Sequence, residues 1–286
     1  IIFSFNSISI IFYRQIKQKS KKMKKYLVIG NPIDHSLSPL LHNYWIKKYK
    51  IDATYEKKLV RENDIKSLCN EVREGKLQGF NITVPFKKSV IPFLNELTSI
   101  AKETESVNTI FQKNNKTIGD NTDVNGFKMA LESVRHKIKG KKVFILGAGG
   151  VVPSIILALK KMNFSDITLS NRTIEKAEIL KEKYSDLKII KWGDIVSCDI
   201  FINATSIGLN KSDEIKLDYS KIGSNKLFYD VIYNPKQTNF LKKAKASGNI
   251  TENGKMMFIY QAHQAFSVWH KILPKIDSEV IKIVEK

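Results

Sequence analysis

The sequence has few acidic residues, few cysteines and no long apolar run, and each shortage excludes a class of protein. Its 286 residues carry 28 acidic against 48 basic side chains, a formal net charge of +20 at pH 7. The two cysteines, Cys69 and Cys198, have neither CxxC spacing nor a histidine cluster nearby, which favours reduced, cytoplasmic thiols over a disulfide scaffold or a zinc site. The apolar run over residues 1–13 is shorter than the ~20 residues that span a bilayer. We therefore expect no membrane segment.

The basic excess raises nucleic acid as a partner, because a basic stripe is the footprint of such proteins. Most of the excess, however, is lysine interleaved with glutamate in helix-like segments such as Glu175–Lys183. That pattern is typical of a solvated helix surface, and the sequence shows no arginine-rich stripe with interleaved aromatic residues. We expect a soluble globular protein that binds a small molecule and not nucleic acid.

Residues 1–22 differ in composition from the rest of the chain. An apolar, serine-rich run, Ile1–Tyr13, is followed by a basic stretch, Arg14–Lys22, which reverses the order found in a secretory signal peptide. An acid-poor transit peptide is one interpretation. Translated upstream sequence is favoured, because Met23 directly precedes a lysine pair and the first predicted strand. We expect residues 1–22 to lie outside the fold.

From Met23 onward, short apolar strands alternate with helical segments. Tyr26–Gly30 reads as a buried strand that ends in glycine, and Pro39 begins a helix that continues to about Tyr49. A helical connector over 125–139 leads to a second series of strands: Lys142–Leu146, Ile167–Ser170, Ile189–Ile190, Ile200–Ile202 and Leu227–Asp230. Such alternation, present twice, predicts parallel sheets with helices on both faces.

The second series begins with a glycine-rich loop, Gly147-Ala148-Gly149-Gly150. Gly147 allows a tight turn after the strand, Gly149 lets the backbone approach a pyrophosphate, and the next helix supplies N–H groups and the positive end of its dipole. Val152 occupies the third position of G-x-G-x-x-G, so the closeness of helix–strand packing there is an open question. A glycine turn that binds nothing is the alternative for this motif alone.

The end of the following strand indicates which dinucleotide would bind. An NAD site usually places Asp or Glu there for the ribose 2′-hydroxyl, whereas this strand ends in Ser170-Asn171-Arg172-Thr173, with Lys176 shortly after. A guanidinium pairs well with a 2′-phosphate. A solvated arginine at a strand end is the alternative, but the distance from the glycine loop favours NADP.

Two upstream features suggest where a substrate would bind. Ser38 before Pro39 predicts a helix N-cap with proline in the first turn. Together with Ser36, that helix N-terminus would suit a small carboxylate, although a plain cap is the more economical interpretation of these residues alone.

Four polar residues, Asn81, Thr83, Lys87 and Asp123, lie in apolar or turn-forming stretches. A lysine and a carboxylate in such places suggest proton transfer to or from a hydroxyl. The alternatives are a surface lysine after a strand and an aspartate that caps a turn or helix.

Several multi-residue sequence motifs, in a fixed order from about Met23 to the C-terminus, resemble those of the shikimate dehydrogenase family. They are Asn31–Pro39, Asn81–Lys87, Val107–Thr109, Gly119–Asp123, Gly147–Gly150, Asn171–Thr173, Asn203–Gly208, Tyr229–Tyr233 and Gly254–Trp269.

The resemblance implies two α/β domains, an N-terminal substrate domain over 23–122, completed by 254–286, and a Rossmann-type NADP-binding domain over 123–253. Substrate would bind in the cleft between them. The implied activity is the reversible NADPH-dependent reduction of 3-dehydroshikimate to shikimate, in chorismate and aromatic amino-acid biosynthesis. A relative that accepts quinate or NAD, and a non-catalytic NADP-binding regulator, are the alternatives. The protein would be a cytoplasmic monomer or homodimer.

The resemblance also implies a role for individual residues, and it implies no metal. Lys87 and Asp123 would be the catalytic acid–base pair. Substrate would be bound by Ser36, Ser38, Thr83, Asn108, Tyr233 and Gln261. NADP would be bound by Gly147, Ala148, Gly149, Gly150, Val151, Asn171, Arg172, Thr173, Lys176, Thr205, Val231 and Gly254.

We predict that a protein beginning at Met23 folds and is active, because residues 1–22 precede the first strand and contain none of these motifs. The test compares solubility, melting temperature and NADPH oxidation between the full-length chain and the truncated one. Loss of solubility or activity on truncation would show that the segment is structural.

Overall fold

The computed structural model of the chain describes residues 23–134 and 142–285. Residues 1–22, for which the sequence predicts a leader, and the end of the predicted connector, 135–139, lie outside the described residues. The strands are β1 (Lys24–Gly30), β2 (Ala53–Leu59), β3 (Gly79–Ile82), β4 (Glu96–Leu97), β5 (Thr109–Lys113), β6 (Lys116–Asp120), β7 (Val143–Leu146), β8 (Ile167–Ser170), β9 (Lys188–Ile190), β10 (Ile200–Asn203), β11 (Leu227–Asp230) and β12 (Ile250–Glu252).

The helices alternate with these strands, as predicted. They are α1 (Ser38–Lys48), α2 (Ile65–Arg73), α3 (Ser99–Thr104), α4 (Asp123–Ser133), α5 (Val152–Lys161), α6 (Ile174–Lys183), α7 (Tyr219–Ile222), α8 (Asn239–Ala246), α9 (Lys255–His270) and α10 (Ser278–Glu285), with short 3-10 turns at Glu62–Asp64 and Ile91–Phe93.

The first sheet has six strands in the order β2-β1-β3-β5-β6-β4. β1 pairs in parallel with β2 and β3, whereas β5 runs antiparallel to both β3 and β6. The prediction of a parallel sheet is therefore wrong for this part of the first unit, because the two-residue turn Asn114-Asn115, with both φ angles positive, joins β5 and β6 as a hairpin. The predicted buried strand Tyr26–Gly30 forms most of β1, in the interior of this mixed sheet. The loops after β1 and β3, which carry the serines and Lys87, therefore emerge side by side at the carboxyl ends of neighbouring parallel strands.

The second sheet is parallel throughout, in the order β12-β11-β10-β7-β8-β9. The chain builds outward from β7 to β9, then returns to place β10 on the other side of β7. This is the strand order of a Rossmann fold, and ligands bind where the order reverses, outside the carboxyl ends of β7 and β10. The prediction of two α/β units, the second of Rossmann type, is confirmed.

Helices α4 and α9 lie between the two sheets and pack on each other. On α4, Phe127 and Leu131 are fully buried in the core of the second sheet, whereas Phe258 and Phe266 of α9 belong to a core of the first sheet. The helices approach closely, because a Cβ on Gly126 would lie 2.9 Å from Gln261 Cβ. This packing supports the predicted domain bounds, 23–122 with 254–286 and 123–253, which stay a prediction.

Two local expectations change in the structure. The predicted N-cap at Ser38 is wrong, because Leu37 occupies that position and Ser38 is the first helical residue, with no side-chain cap. The backbone N–H of Ser38 donates instead to Ser36 Oγ at 3.3 Å. The open question at Val152 is answered by burial, because this side chain is fully buried between α5 and the second sheet.

Both cysteines are free and buried. Burial raises the pKa of each thiol to about 12, so neither is a thiolate at neutral pH and neither is a reactive nucleophile. Within the part of the chain that the structure describes, no helix combines the length and the apolar character that a membrane crossing requires.

Candidate active site

A cavity of about 790 Å³ lies between the two sheets and receives residues from both. All the residues for which the sequence predicts a catalytic, substrate-binding or cofactor-binding role line this cavity. Most come from loops at the carboxyl ends of the strands, Asn108 directly precedes β5, and the others belong to α1, α4, α6 and α9. The cavity is therefore the candidate active site.

The centre of the cavity holds an ion pair between Lys87 and Asp123. Lys87 Nζ donates to Asp123 Oδ2 at 2.5 Å, and the two side chains are only 12% and 7% exposed. Lys87 follows β3 in a turn that is fixed by a bond from Val107 N to the Lys87 carbonyl, 2.8 Å. Asp123 is the first residue of α4, where the positive end of the helix dipole stabilises its negative charge.

Asn108 holds the Asp123 carboxylate in place. Its Nδ2 donates to Asp123 Oδ1 at 2.8 Å and to Thr122 Oγ1 at 3.0 Å, while its Oδ1 accepts from Thr122 N at 2.8 Å. Asn121 adds a second contact, because its Oδ1 accepts from the Asp123 N–H at 3.0 Å. Both donors of the Asn108 amide are thus occupied by the protein, so the structure gives this side chain a positioning contact with Asp123.

The first-sheet end of the cavity offers hydroxyl and amide groups. Ser36 and Ser38 lie at the N-terminus of α1, and Lys57 Nζ supports their loop by donating to the Asp34 carbonyl at 2.6 Å. Gly30 has no room for a side chain, since a Cβ there would lie 2.4 Å from Thr83 Cγ2. Thr83 is thereby pressed against the end of β1 and reaches the cavity from the β3 side of this end.

Tyr233 and Gln261 close this end of the cavity from the side of α9. The Tyr233 ring stacks on Phe258 with centroids 4.5 Å apart, and burial raises the pKa of the phenol, so it remains a hydrogen-bond donor at neutral pH. Gln261 Nε2 donates to the Phe258 carbonyl at 2.8 Å, which fixes the amide plane at the cavity wall.

The glycine loop forms the second-sheet wall. Gly147 has φ +111°, a left-handed conformation that favours glycine, and a Cβ there would lie 2.9 Å from Thr205 Cγ2. By contrast, Cβ atoms built on Gly149 and Gly150 meet nothing closer than 3.9 Å, and the neighbour of Gly150 is the Lys87 side chain. An open backbone surface at the start of α5 is therefore available to a pyrophosphate, directly beside Lys87.

A cationic end of the cavity lies beyond the glycine loop. Asn171 ties the two together, because its Oδ1 accepts from Ala148 N at 3.0 Å and its Nδ2 donates to the Thr173 carbonyl at 2.7 Å. Arg172 and Lys176 are exposed, and neither forms an ion pair with a carboxylate of the described residues. Their charges are available to an anionic ligand.

A buried polar pair that the sequence did not predict supports the loops after β10 and β11. Asn203 Nδ2 donates to Asp230 Oδ1 at 3.1 Å, and Asp230 also accepts from Ile232 N and from Thr238 Oγ1. Asn203 Oδ1 accepts from Thr205 N at 3.0 Å. The pair therefore fixes both loops that bring Thr205 and Val231 to the cavity. The available signal was a polar residue that ends each of two buried apolar strands.

Asp230 is fully buried, and burial raises its pKa to about 6, although its three hydrogen bonds oppose the shift.

On the far side of the same loop, Gly254 lies so close to Val231 that an added Cβ would be 2.0 Å from the Val231 carbonyl oxygen. Among residues 23–134 and 142–285, no group of His, Cys, Asp and Glu side chains is placed to hold a metal ion.

The Rossmann sheet, the open glycine loop with cations beyond it, and a Lys–Asp pair beside that loop define a dinucleotide-dependent oxidoreductase. The profile of the shikimate dehydrogenase substrate-binding domain matches residues 28–110, and that of shikimate/quinate 5-dehydrogenase matches 128–230. A shikimate dehydrogenase (NADP(+)) of Pelagibacter ubique, strain HTCC1062, is 60% identical over 92% of this chain and 99% of its own length. The chain belongs to the shikimate dehydrogenase family, as the sequence motifs predicted.

Solved structures agree with this assignment. Shikimate 5-dehydrogenase from Thermus thermophilus, in complex with NADP(H) and shikimate, is 28% identical with a TM-score of 0.84, and the match covers 92% of this chain and 99% of that one. Shikimate dehydrogenase from Aquifex aeolicus is 33% identical with a TM-score of 0.83, over 93% of this chain and 98% of that one.

We predict that Asp230 makes the free energy of unfolding fall as pH rises. Its pKa is about 6 in the folded protein against an ordinary value of 3.8, so the folded state binds this proton more tightly. The stabilising contribution is fully present below the unfolded pKa and is lost as pH rises through the folded pKa. At ~1.4 kcal/mol per pKa unit, the stability of the wild type relative to Asp230→Asn should fall by about 3 kcal/mol across that window.

Urea unfolding of the wild type and the variant from about pH 3 to about pH 7 measures this difference. Asp213→Asn is the matched control: hydrogen bonds from the Asn210 and Gly208 backbone lower the pKa of the Asp213 carboxyl, so the stability of the wild type relative to Asp213→Asn should instead rise with pH. A difference between wild type and Asp230→Asn that does not vary with pH would contradict the prediction.

Proposed function

We propose that this chain catalyses the reversible NADPH-dependent reduction of 3-dehydroshikimate to shikimate, a step of chorismate and aromatic amino-acid biosynthesis. The observation that carries the proposal is that one cavity contains the Lys87–Asp123 pair, the serines at the N-terminus of α1 and the glycine loop with its cationic end. The names and bound ligands of the relatives support it, because they are shikimate dehydrogenases (NADP(+)) and a complex with NADP(H) and shikimate.

The first-sheet residues would bind the substrate. Ser36 and Ser38 offer hydroxyl groups and the helix N–H groups behind them, which suits the ring carboxylate. Thr83, Tyr233 and Gln261 would bind the ring hydroxyls from the surrounding walls. Asn108 would contribute mainly by holding Asp123, since its donors are already used.

Lys87 and Asp123 would handle the proton of the reacting hydroxyl. Bound NADPH supplies the hydride for the ketone carbon. The Lys87 ammonium has three donors, of which one is directed at Asp123, so it can also donate to the developing alkoxide and stabilise its charge. Asp123 keeps the ammonium in place and, because both groups are sheltered from water, their interaction is stronger than it would be in solvent.

The second-sheet residues would bind the cofactor. Gly147, Ala148, Gly149, Gly150 and Val151 would lie against the pyrophosphate. The N–H groups of Gly147 and Ala148 already donate to the Ser170 carbonyl and to Asn171 Oδ1, so those of Gly149, Gly150 and Val151 would be the donors to the phosphates. Asn171, Arg172, Thr173 and Lys176 would bind the 2′-phosphoadenosine. Thr205, Val231 and Gly254 would line the nicotinamide side.

We also propose that the protein acts in the cytoplasm as a monomer or a homodimer. The two free, buried thiols support a reducing compartment. Light scattering on the purified protein would report its mass, and a larger assembly would contradict the proposal.

The direct test follows NADPH absorbance with 3-dehydroshikimate, and the reverse reaction with shikimate or quinate and with either NADP or NAD. We expect turnover with shikimate and NADP to exceed the other combinations. Absence of turnover with 3-dehydroshikimate would contradict the proposed function, and equal rates with quinate or NAD would show a broader enzyme.

We predict that Arg172→Asp raises the Michaelis constant for NADPH far more than that for NADH, because it removes a phosphate partner and adds a repelling charge. Loss of one charge-assisted contact costs ~1.5–3 kcal/mol, or roughly tenfold to a hundredfold. The control is Lys181→Asp, an exposed residue of α6 outside the cavity that undergoes the same change of charge. Equal losses for both cofactors would mean that Arg172 does not meet the 2′-phosphate.

We predict that Lys87→Ala lowers turnover by ~10²–10⁴-fold, the usual contribution of a general acid–base group, with the Michaelis constant for shikimate changed only a few-fold. Asp123→Asn should also lower turnover and shift its pH dependence. Ser38→Ala should instead raise the Michaelis constant, since a carboxylate anchor binds substrate and transition state alike.

The neighbouring exposed residue provides the control: Lys88→Ala should leave both constants unchanged, because Lys88 lies outside the cavity. If Lys87→Ala weakened only substrate binding, with turnover intact, Lys87 would be a binding residue and its acid–base role would be refuted.

A further inference from the structure

We propose that Tyr55, which does not line the cavity, is a positioning residue for the substrate pocket, a proposal that rests on the proposed function. Its buried hydroxyl lies between Ser38, which would bind the substrate carboxylate, and Asn81, which leads to the acid–base pair. The hydroxyl sets the position of these two groups relative to each other.

The Tyr55 hydroxyl has polar partners on both sides. It donates to Asn81 Oδ1 at 2.6 Å. On its other side lies Ser38, one helical turn before His42, whose ring stacks on Tyr55. Both partners line the cavity and are nearly inaccessible to solvent, as is Tyr55 itself, which is 1% exposed. A buried hydroxyl is costly unless it is hydrogen-bonded, and a phenylalanine would fill the same space. The specific contribution of this hydroxyl is therefore its polar contacts and not its volume.

The bonds continue from Asn81 to the ion pair. Asn81 Nδ2 donates to the Asn108 carbonyl and to Thr109 Oγ1, each at 3.0 Å. Thr109 Oγ1 in turn donates to Asn108 Oδ1 at 2.9 Å, and Asn108 holds Asp123. The Tyr55 contact thus fixes which end of the Asn81 amide faces β5, and so orders the strand that presents Asn108.

The tyrosine itself is held firmly. Its backbone N–H and carbonyl bond to the Asn43 side chain at 3.0 and 2.7 Å. Its ring stacks on His42, with centroids 4.1 Å apart and planes 5° apart. Burial and the nearby His270 lower the pKa of His42 to about 3, so this ring is neutral and serves as an apolar platform. A hydroxyl fixed at both backbone and ring can define a position for its partners.

The experiment measures kcat and KM for shikimate, and its dissociation constant by calorimetry, for Tyr55→Phe. The change leaves the buried Asn81 Oδ1 without this donor and the carboxylate anchor Ser38 without its polar neighbour, and both residues line the cavity. We therefore expect KM and the dissociation constant to rise roughly tenfold, the effect of one lost hydrogen bond that leaves a buried acceptor unpaired. We expect kcat to change less, since the path to Asp123 passes through two amides. In a Ser38→Ala background the same change should have little further effect on KM, because the two residues share one contact.

The matched control is Tyr26→Phe. Tyr26 pairs with Tyr55 in the register of β1 and β2 and is 2% exposed, but its hydroxyl has no hydrogen-bond partner among the described residues. Its loss should leave KM unchanged. If Tyr55→Phe does not fold, 3-fluorotyrosine at position 55 keeps the shape and the hydroxyl while strengthening it as a donor, and KM should still shift.

An unchanged KM in Tyr55→Phe, or in the fluorotyrosine protein, would overturn the proposal even if the melting temperature fell, because Tyr55 would then be only structural. Full additivity with Ser38→Ala would overturn it as well. Failure of the proposed function is distinguishable, because it would appear as an inactive wild-type protein.

Discussion

The site depends on one largely buried ion pair, Lys87 with Asp123. A buried pair is a weak source of stability, because removing two charges from water costs much of what their attraction returns. The pair is stabilised here because the Asp123 carboxylate also accepts a hydrogen bond from Asn108, and because Asp123 is the first residue of a helix, where the helix dipole favours its negative charge. Lys87 follows a strand of the first sheet, and Asp123 begins a helix that packs on the second sheet. The pair therefore forms only when the two α/β units are held in a fixed position relative to each other.

Other contacts between the two units fix the same relative position. Ser106 Oγ donates to the Gly150 carbonyl at 3.1 Å, and Asn121 Nδ2 donates to Ser154 Oγ at 2.9 Å. These bonds join the first unit to the glycine loop and to α5, and they account for the position of Gly150 beside the Lys87 side chain. The place where a cofactor would lie is thus connected, within a few residues, to the group that would move the proton.

β1, most strands of the second sheet and most of the site were predictable, because buried parallel strands are continuous apolar runs and the residues that follow them carry the chemistry. The sequence did not predict that Ser38 would give up its capping position, nor that Asp230 and Tyr55 would be fixed by distant partners. Tyr55 and Asn81 are 26 residues apart, and their contact depends on the pairing of β2, β1 and β3, which no local pattern specifies.

The most direct test of the proposed site is a crystal structure with NADP+ and 3-dehydroshikimate, an abortive pair that does not turn over. We expect the substrate carboxylate at Ser36 and Ser38, and the ketone oxygen within hydrogen-bond distance of Lys87 Nζ. The ketone carbon should lie ~3–3.5 Å from the reacting carbon of the nicotinamide, the separation of a near-attack geometry. A ring bound in the reverse direction, with its carboxylate at Lys87, would contradict the assignment of both ends of the site.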